Sequence, residues 1–583
     1  MEREADGMRF GIFYERQLPR PWQDGAEQRM LADALAQVEI ADRVGIDYLW
    51  EVEHHFLEEY SHSSAPEVFL AAASQRTSRI RLGHGIVQVP HPVNHPARVA
   101  ERIATLDLIS GGRVEFGTGE ASSAAELGGF GVPRSDKRAM WHESVDTITR
   151  MFVEEPFAGA DGQFVRMPPR NVIPKPAQRP HPPLWVACSR RETIQLAART
   201  GMGALSFSFV EPEDAGKWVR EYYDLLTSEE CVPAGFTVNP NLAVVVPMMI
   251  HHDEAEAIER GIDGAHFFGF SLAHYYGAGN HHPGITDVWQ EFGAGRADAG
   301  FARHIVTPRA APLGVRMLQQ GMGSLRGAIG TPTQVTELVA RYEAAGVDQV
   351  IFVLQAGPNR HEHVCESLEL FGAEVAPRFL DGREERERAK AERLAPAVDK
   401  AMARRAPARS LPGPYRIDEE AELARARRAA LPGLRELAGN AVATARDSTL
   451  SGLARLVAGT SDAQLERYVG NRGVQQVMFN AMARSYNPAL APQFTGTVCY
   501  QLRPTHGEPR SWTIEVRDGR ATARVGDAPD PAVLVRLSVA DFARLAAGSV
   551  TPMRLLLEDR ILLEGDPELA YRIGEMFGGP SPF

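Results

Sequence analysis

The sequence predicts an α/β chain in which a (β/α)8 barrel is followed by a smaller α+β domain. Through residue 380, short apolar runs alternate with segments of helical spacing, a pattern typical of a parallel sheet with right-handed crossovers. From residue 432 onward, strand-like runs joined by a hairpin signal come first and helices follow. At 583 residues the chain is also too long for one hydrophobic core, so at least two domains are expected.

Strand candidates in the first part number eight. They span 8–14, 46–52, 79–89, 113–119, 183–189, 203–209, 241–250 and 348–355. Helical segments separate them; the segment 26–45, for example, has apolar residues at helical spacing and ends at Gly45. Eight such units predict a barrel with insertions. A doubly wound sheet is the alternative, but GIFYERQLPRP (11–21) is not the glycine-rich phosphate loop that such a fold carries after its first strand.

The longest insertion, 251–347, lies between the last two strand candidates. Its stretch FFGFSLAHYYGAGNHHPG (267–284) is rich in aromatic residues, glycine and histidine. That composition is typical of a lid at the mouth of a barrel, and equally of a surface segment packed on itself.

A change in composition marks the boundary between the two domains. Residues 381–431 are charge-dense and contain LPGP, which predicts a solvated helix and linker. In the domain 432–583, the runs 496–504, 510–526 and 532–538 predict antiparallel strands, with a hairpin turn at Asp518-Gly519. VADFARLAAG (539–548) and PELAYRIGEMF (567–577) predict helices.

Composition excludes several functions. A formal net charge of -12 argues against a general binder of nucleic acid or anionic membranes. The N-terminal residues show no apolar signal-peptide core, and no run is long enough to span a membrane. Four cysteines stand far apart, which gives no disulfide or zinc signal and fits a reducing cytoplasm. We therefore expect a cytoplasmic protein.

Functional groups of a (β/α)8 barrel lie at the carboxyl ends of its strands. Several polar or reactive residues end or follow the predicted strands and should converge there although they are distant in sequence: His54, His55, Glu120, Ser122, Ser123, Cys188, Ser189, Phe207 and Ser208. A metal site is one alternative for the stretch around His54, with ligand candidates Glu53, His54, His55, Glu58, Glu59 and His62. Adjacent histidines on a loop diverge and no HExxH pair occurs, so no metal is predicted. A polar loop without a catalytic role is the other alternative.

Four segments resemble the bacterial luciferase-like flavin-dependent monooxygenases: VEHHF (52–56), NHP (94–96), GGRVEFGTGE (111–120) and GTPTQVTELVARYEAAGVDQVIF (330–352). Their order and spacing extend the resemblance over 8–380. It implies a (β/α)8 barrel that uses reduced flavin mononucleotide (FMN) and O2, through a C4a-hydroperoxyflavin, to oxygenate an organic small molecule. The sequence shows no second nucleotide-binding motif, so a separate flavin reductase is expected to supply the reduced FMN. Barrels of this family often pair, so the resemblance also implies a homodimer.

The resemblance also implies residue roles. The two histidines after the second strand lie at the reactive edge of the flavin in this family, so His54 and His55 become the acid–base candidates, with a slight preference for His54. Gly85 and Ile86 match a bulge of the third strand against the flavin ring, and Arg138 matches an arginine that pairs with the phosphate. The remaining expected cofactor contacts are Glu120, Cys188, Ser189, Arg190, Phe207 and Ser208.

Glu120 departs from the family pattern, which often places an arginine there. A carboxylate repels phosphate, so Glu120 is expected to turn away or to meet Arg138, with Ser122 and Ser123 as substitute donors. This departure keeps two alternatives open. One is a deazaflavin (F420)-dependent oxidoreductase that transfers hydride without oxygen, and the other is a non-catalytic flavin- or lipid-binding protein.

The second domain resembles the sterol carrier protein type 2 domain. The hairpin, SVADFARLAAG (538–548) and EGDPELA (564–570) stand in the order of that family, and the resemblance covers 440–583. It implies an α+β fold around an apolar tunnel for lipid-like molecules. Because this domain is fused to the barrel, the molecule that the barrel oxygenates is expected to be partly apolar. Apolar residues that fit either such a tunnel or an ordinary core are Val533, Leu534, Val535, Leu537, Phe542, Leu545, Leu555, Leu556 and Leu557.

Overall fold

The computed structural model describes residues 7–206, 211–278, 281–296, 326–420, 460–488, 494–547 and 560–565, with residues 422, 457, 549–550, 552, 555, 569, 573 and 576–577 between or beyond them. The chain divides into two compact units. The first comprises Met1–Tyr275 and His281–Tyr415, and the second comprises Tyr276–Asn280 and Arg416–Phe583. Each unit is described separately. None of the helices in the described ranges is long and apolar enough to cross a membrane.

The first unit contains a closed parallel barrel, which confirms the predicted fold class. Its strands are β1 (Arg9–Tyr14), β2 (Tyr48–Glu51), β3 (Arg81–His84), β4 (Val114–Gly119), β5 (Leu184–Cys188), β6 (Gly203–Ser206), β7 (Leu242–Ile250) and β8 (Gln349–Gln355). Each strand pairs with the next, and β8 pairs with β1 to close the barrel. All eight correspond to the sequence candidates, because buried parallel strands are continuous apolar runs.

Two tryptophans fill the interior of the barrel. Trp50 on β2 and Trp185 on β5 meet edge to face with ring centroids 5.2 Å apart. Glycines on the neighbouring strands make room for them: a Cβ added at Gly83 would lie 2.3 Å from Trp50, and one at Gly203 would lie 2.4 Å from Trp185. The interior at this level is therefore a packed core, and ligand space lies toward the strand ends.

Helices surround the barrel, and an apolar layer separates them from its outer face. They are α1 (Ala26–Val44), α2 (Pro66–Ser74), α3 (Pro96–Ile109), α4 (Ala124–Phe130), α5 (Lys137–Val153), α6 (Arg191–Arg199), α7 (Pro212–Leu226), α8 (Glu254–Ala273), α9 (Val288–Gly295), α10 (Pro332–Ala344) and α11 (His361–Leu370). The unit also contains the short strands Val87–Gln88, Ala160–Asp161, Arg166–Met167 and Ala328–Gly330 and the short helical turns Phe371–Val375 and Pro377–Leu380, and the turn His274–Ala278 directly follows α8. Residues 267–273, the first part of the stretch considered as a lid, are thus the end of the regular helix α8. Residues 297–325 of the same insertion lie outside the described residues.

The charged segment after the barrel contains a helix, and this helix packs on the barrel instead of being solvated on all sides. Helix α12 (Arg383–Arg404) packs on the amino ends of the strands, where Lys390 Nζ lies 2.7 Å from the Asp348 carboxylate and 3.0 Å from Asn241 Oδ1. Leu394 and Ala401 join the core between the barrel and the helices. A narrow apolar stripe is sufficient to bury a helix whose other faces are charged, so α12 belongs to the barrel unit.

The second unit is an α+β domain. Its strands β9 (Gly496–Arg503), β10 (Arg510–Arg517), β11 (Arg520–Val525), β12 (Val533–Ser538) and β13 (Ile561–Gly565) form one sheet in the order β11-β10-β9-β12-β13. The predicted turn is confirmed, since Asp518 and Gly519 have φ values of 52° and 71° between paired strands. The expectation of purely antiparallel strands is wrong, because β9 and β12 pair in parallel.

Helices of this unit are α13 (Asp462–Val469), α14 (Arg472–Arg484) and α15 (Val539–Ala546). Phe479 of α14 stacks on Trp512 at 5.0 Å and on Phe542 at 4.9 Å between ring centroids. Of the suggested tunnel residues, five are buried (Val533, Val535, Leu537, Phe542 and Leu555), whereas Leu534 and Leu545 are partly exposed. Leu556, Leu557 and most of 567–577 lie outside the described residues.

Candidate active site

His54 lies in a mostly buried network at the carboxyl ends of four strands. Its Nδ1 lies 2.9 Å from Glu126 Oε1, and its Nε2 lies 3.2 Å from Glu15 Oε1. Glu15 directly follows β1, His54 follows β2, and Glu126 lies on α4 after β4. Gln88, beyond β3, donates its side-chain amide to Glu126. Loops that are distant in sequence meet here because parallel strands end at the same face of the barrel.

The charges of this network are strongly coupled. Burial alone would lower the pKa of His54, but the Glu126 and Glu15 carboxylates outweigh burial and raise it to about 9. Burial would likewise raise the pKa of Glu126, but His54 and hydrogen bonds from Ser123 and Gln88 lower it to about 2. Burial raises the pKa of Glu15 to about 7, and His54 opposes that rise. At neutral pH, His54 is therefore an imidazolium with one ring N–H directed at the Glu126 carboxylate and the other at Glu15, which itself titrates in the neutral range.

The neighbouring His55 is held differently. Its Nε2 lies 3.2 Å from Glu53 Oε1, and its ring packs edge-on against Phe130 with centroids 4.9 Å apart. Glu53 is itself fixed by the Asn94 amide at 2.8 Å and by the backbone N–H of Gln88 at 2.8 Å. Among the described residues, the His55 ring thus contacts one carboxylate, which is itself held by two hydrogen bonds, whereas the His54 ring contacts two.

A second cluster follows β4 around Glu120. Its Oε1 pairs with Arg138 Nε, and its Oε2 lies 3.2 Å from Lys137 Nζ. Burial lowers the pKa of Lys137, and the nearby Arg134 and Arg190 lower it further, while Glu120 opposes them. Of the two outcomes expected for Glu120, turning away or meeting Arg138, the structure shows the second, and the cluster gathers several cations around one carboxylate.

Other predicted site residues lie in different places. Ile86 belongs to the interior core of the barrel, and a Cβ at Gly119 would lie 2.6 Å from its side chain. Gly85 and Ile86 break the third strand into two segments, as expected of a bulge. Ser189 is exposed at the end of β5, just before α6. Phe207 and Ser208 lie outside the described residues.

Two side chains that were suggested as cofactor contacts, Cys188 and Ser123, make other contacts in the structure. The Cys188 thiol packs in the core on the outer face of the barrel, where burial raises its pKa to about 12. Only its backbone is therefore available to a cofactor at the barrel mouth, because alternate residues of a strand point to opposite faces. Ser123 Oγ donates to Glu126 at 2.7 Å and caps α4, so it is not a substitute phosphate donor.

The remaining metal-ligand candidates diverge from His54. Glu58 accepts hydrogen bonds from Arg20 and from the backbone N–H of Gly284, and Glu59 accepts from the backbone N–H groups of Val288 and Trp289. His62 instead meets Glu27 at 2.8 Å. No group of three or more His, Cys, Asp or Glu side chains within the described ranges is arranged to hold a metal ion.

Sequence reasoning missed Glu15, Gln88, Glu126 and Lys137. Glu15 carried a usable signal, because it is the first residue after a predicted strand. Glu126 and Lys137 lie on helices after the fourth strand, where spacing alone does not show which side chains turn back to the mouth.

Comparison with known proteins identifies the family of the chain. A luciferase-like monooxygenase family model matches residues 8–349, and the SCP-2 sterol transfer family matches 479–578. The uncharacterised protein y4wF of Sinorhizobium fredii is 32% identical over 252 residues, 42% of this chain and 68% of that protein. The oxygenase component of the flavin-dependent trigonelline monooxygenase of Acinetobacter baylyi is 25% identical over 389 residues, 66% of this chain and 98% of that protein.

A solved structure gives the same result. Monooxygenase RslO1 from Streptomyces bottropensis superposes with a TM-score of 0.50 at 26% identity, covering 64% of this chain and all of that one. The chain therefore belongs to the luciferase-like monooxygenase family and carries a C-terminal SCP-2 domain.

Proposed function

We propose that this protein is the oxygenase of a flavin-dependent system that uses reduced FMN and O2 to oxygenate an organic, partly apolar small molecule. The observation that carries the proposal is that two groups of charged residues both follow β4: the histidine–carboxylate network of Glu126 and the cation cluster around Glu120. The similarity to a flavin-dependent oxygenase component over nearly the full length of that relative supports the same class of activity.

The residues present fit FMN. Lys137 and Arg138 are suited to its phosphate, because clustered cations stabilise a dianion. Gln88 Oε1 is buried and has no hydrogen-bond partner among the described residues, so it offers an acceptor to an N–H of the flavin ring. Reduced FMN, when bound, supplies the two electrons that activate O2, so that one oxygen atom enters the substrate and the other leaves as water.

We assign proton transfer to His55 and a positioning role to His54. His54 is held as a cation by two carboxylates, which makes it a poor proton donor or acceptor at neutral pH. His55 has one carboxylate contact, through Nε2 to Glu53. This reverses the slight preference for His54 derived from the sequence.

The protein also needs a source of reduced flavin and of substrate. We infer that a separate reductase supplies reduced FMN, in line with the relative that is named as an oxygenase component. We further infer that the SCP-2 domain binds an apolar ligand. Its buried aliphatic strand β12 supports this role.

Anaerobic titration with reduced FMN, followed by an oxygen pulse, tests the proposal. We expect saturable binding, and then a transient absorbance band that differs from both reduced and oxidised flavin. Binding of reduced F420 with no binding of reduced FMN would contradict the proposal and favour the hydride-transfer alternative.

A matched pair of arginine variants locates the site. Arg138→Ala should weaken FMN binding about tenfold, the usual worth of one charge-assisted hydrogen bond to an anion. Arg220→Ala, in the groove between α6 and α7, should leave the affinity for FMN unchanged. Equal effects of the two substitutions would argue that FMN does not use the cluster around Glu120.

A further inference from the structure

The Glu120 carboxylate forms ion pairs with the cations that would otherwise bind a phosphate. Each of its carboxylate oxygens engages a different partner, Oε1 with Arg138 and Oε2 with Lys137. Its side chain is only 12% exposed, so water screens this carboxylate weakly. Glu120 follows Gly119, the last residue of β4, and therefore lies at the functional face of the barrel rather than on a distant surface.

An ion pair that serves only to hold the fold would have a different setting. Arg138 is 44% exposed, and exposed pairs contribute little to stability. Lys137 keeps a lowered pKa despite its contact with Glu120, because burial and the neighbouring Arg134 and Arg190 disfavour its charge. Cations gathered in this way are more typical of an anion site than of a structural pair.

We propose that Glu120 is a specificity-determining residue that acts as an internal anion, occupying Lys137 and Arg138 and thereby weakening the hold of the site on the phosphate of a phosphorylated flavin. This inference rests on the proposed function, since it concerns the same cofactor site. A phosphate that enters must displace the carboxylate from its cations or lie beside it, and either costs affinity. The affinity for a flavin without the phosphate is not lowered in this way.

Weak phosphate binding has a kinetic consequence. In the proposed system, reduced flavin arrives from another protein and oxidised flavin must leave after each turnover. Differences in affinity among variants of one site appear mostly in the dissociation rate. Glu120 thus favours rapid flavin exchange over permanent retention.

Glu120→Gln in the full-length protein tests this role, because it removes the charge and keeps the shape. Flavin fluorescence titrations give the affinities for FMN and for riboflavin, which lacks the phosphate. We expect FMN to bind about tenfold more tightly to Glu120→Gln, the effect of removing one like charge near contact distance, while riboflavin binding stays the same. Stopped-flow displacement should show FMN dissociating more slowly by a similar factor, and inorganic phosphate should compete with FMN better than in the wild type.

Glu369→Gln is the matched control, because Glu369 pairs with Arg43 at the far ends of α11 and α1 and carries the same charge change. It should alter neither affinity. An unchanged ratio of FMN to riboflavin affinity in Glu120→Gln, or weaker FMN binding, would overturn the role of Glu120 while leaving the proposed function standing. Absence of binding of either flavin to the wild type and the variants would overturn the proposed function and this inference together.

Discussion

His54 shows how its neighbours decide what a histidine does. Two acidic side chains, Glu15 directly after β1 and Glu126 on α4, face its two ring nitrogens. With two neighbours in a buried setting, its charge is fixed, and it orients the loops that carry its partners.

Substitution of Glu126 tests that account at the residue level. In Glu126→Gln, the pKa of His54 should fall by about 2, because the nearest opposite charge is removed. NMR titration of the ring measures this change. Glu53→Gln is the control, since Glu53 contacts His55 and should lower the pKa of His54 much less. A pKa of His54 that stayed near 9 in Glu126→Gln would refute the assigned pairing.

The same network sets a dependence of stability on pH. Because folding raises the pKa of His54, its contribution to stability is complete below about 6.5 and is lost as pH rises through about 9. Folding lowers the pKa of Glu126, so its contribution is present above about 4.5 and is lost as pH falls toward about 2. Urea midpoints should therefore fall between pH 6 and pH 9.5 in the wild type, and fall less in Glu126→Gln.

At the scale of an element, the loop after β2 carries backbone strain beside the site. Phe56 has a φ of 65°, a backbone angle that is unusual for a bulky residue. The residue is also 55% exposed. It packs on Phe130 with centroids 5.2 Å apart, and a Cβ at Gly129 would lie 2.5 Å from its ring. Strain of this kind persists where the surrounding structure imposes it, often at functional sites.

Two substitutions separate the strain from the ring. Phe56→Ala removes the ring but keeps the left-handed backbone, whereas Phe56→Gly removes both the ring and the strain. The free energy of unfolding of Phe56→Gly should exceed that of Phe56→Ala by about 1 kcal/mol, as measured by urea denaturation. Equal stabilities would show that this loop relaxes to negative φ once the ring is gone.

For the whole molecule, the position of α12 shows that the barrel unit extends beyond its eighth strand. Asp348 is 4% exposed. Its carboxylate forms an ion pair with Lys390 and accepts hydrogen bonds from the Tyr223 hydroxyl and from the backbone N–H of Leu242. Lys390→Met leaves this carboxylate buried without its cation, which should destabilise the barrel unit by about 3 kcal/mol. Lys400→Met, on the exposed side of the same helix, should have little effect. Denaturation of the full-length protein, followed through the transition of the barrel unit, distinguishes the two variants.

The local sequence pattern was sufficient to predict the eight strands and the turn at Asp518-Gly519. An apolar run indicates a buried strand, and turn residues that tolerate a positive φ indicate the turn that they themselves form. It was not sufficient for α12, whose charge density hides the narrow stripe of Leu394 and Ala401. It also missed the parallel pairing of β9 with β12, because pairing direction depends on segments far apart in the chain.

The amino-acid sequence by itself therefore determined the barrel, the C-terminal α+β domain and the convergence of His54, His55 and Glu120 at one face, since strand ends are encoded locally. Only the tertiary structure decided that Glu15 and Glu126 enclose His54, that Glu120 is held between Lys137 and Arg138, and that the Cys188 thiol points outward. The physical reason is that charge and pKa depend on which side chains meet across loops from different strands, and those meetings form only when the barrel closes.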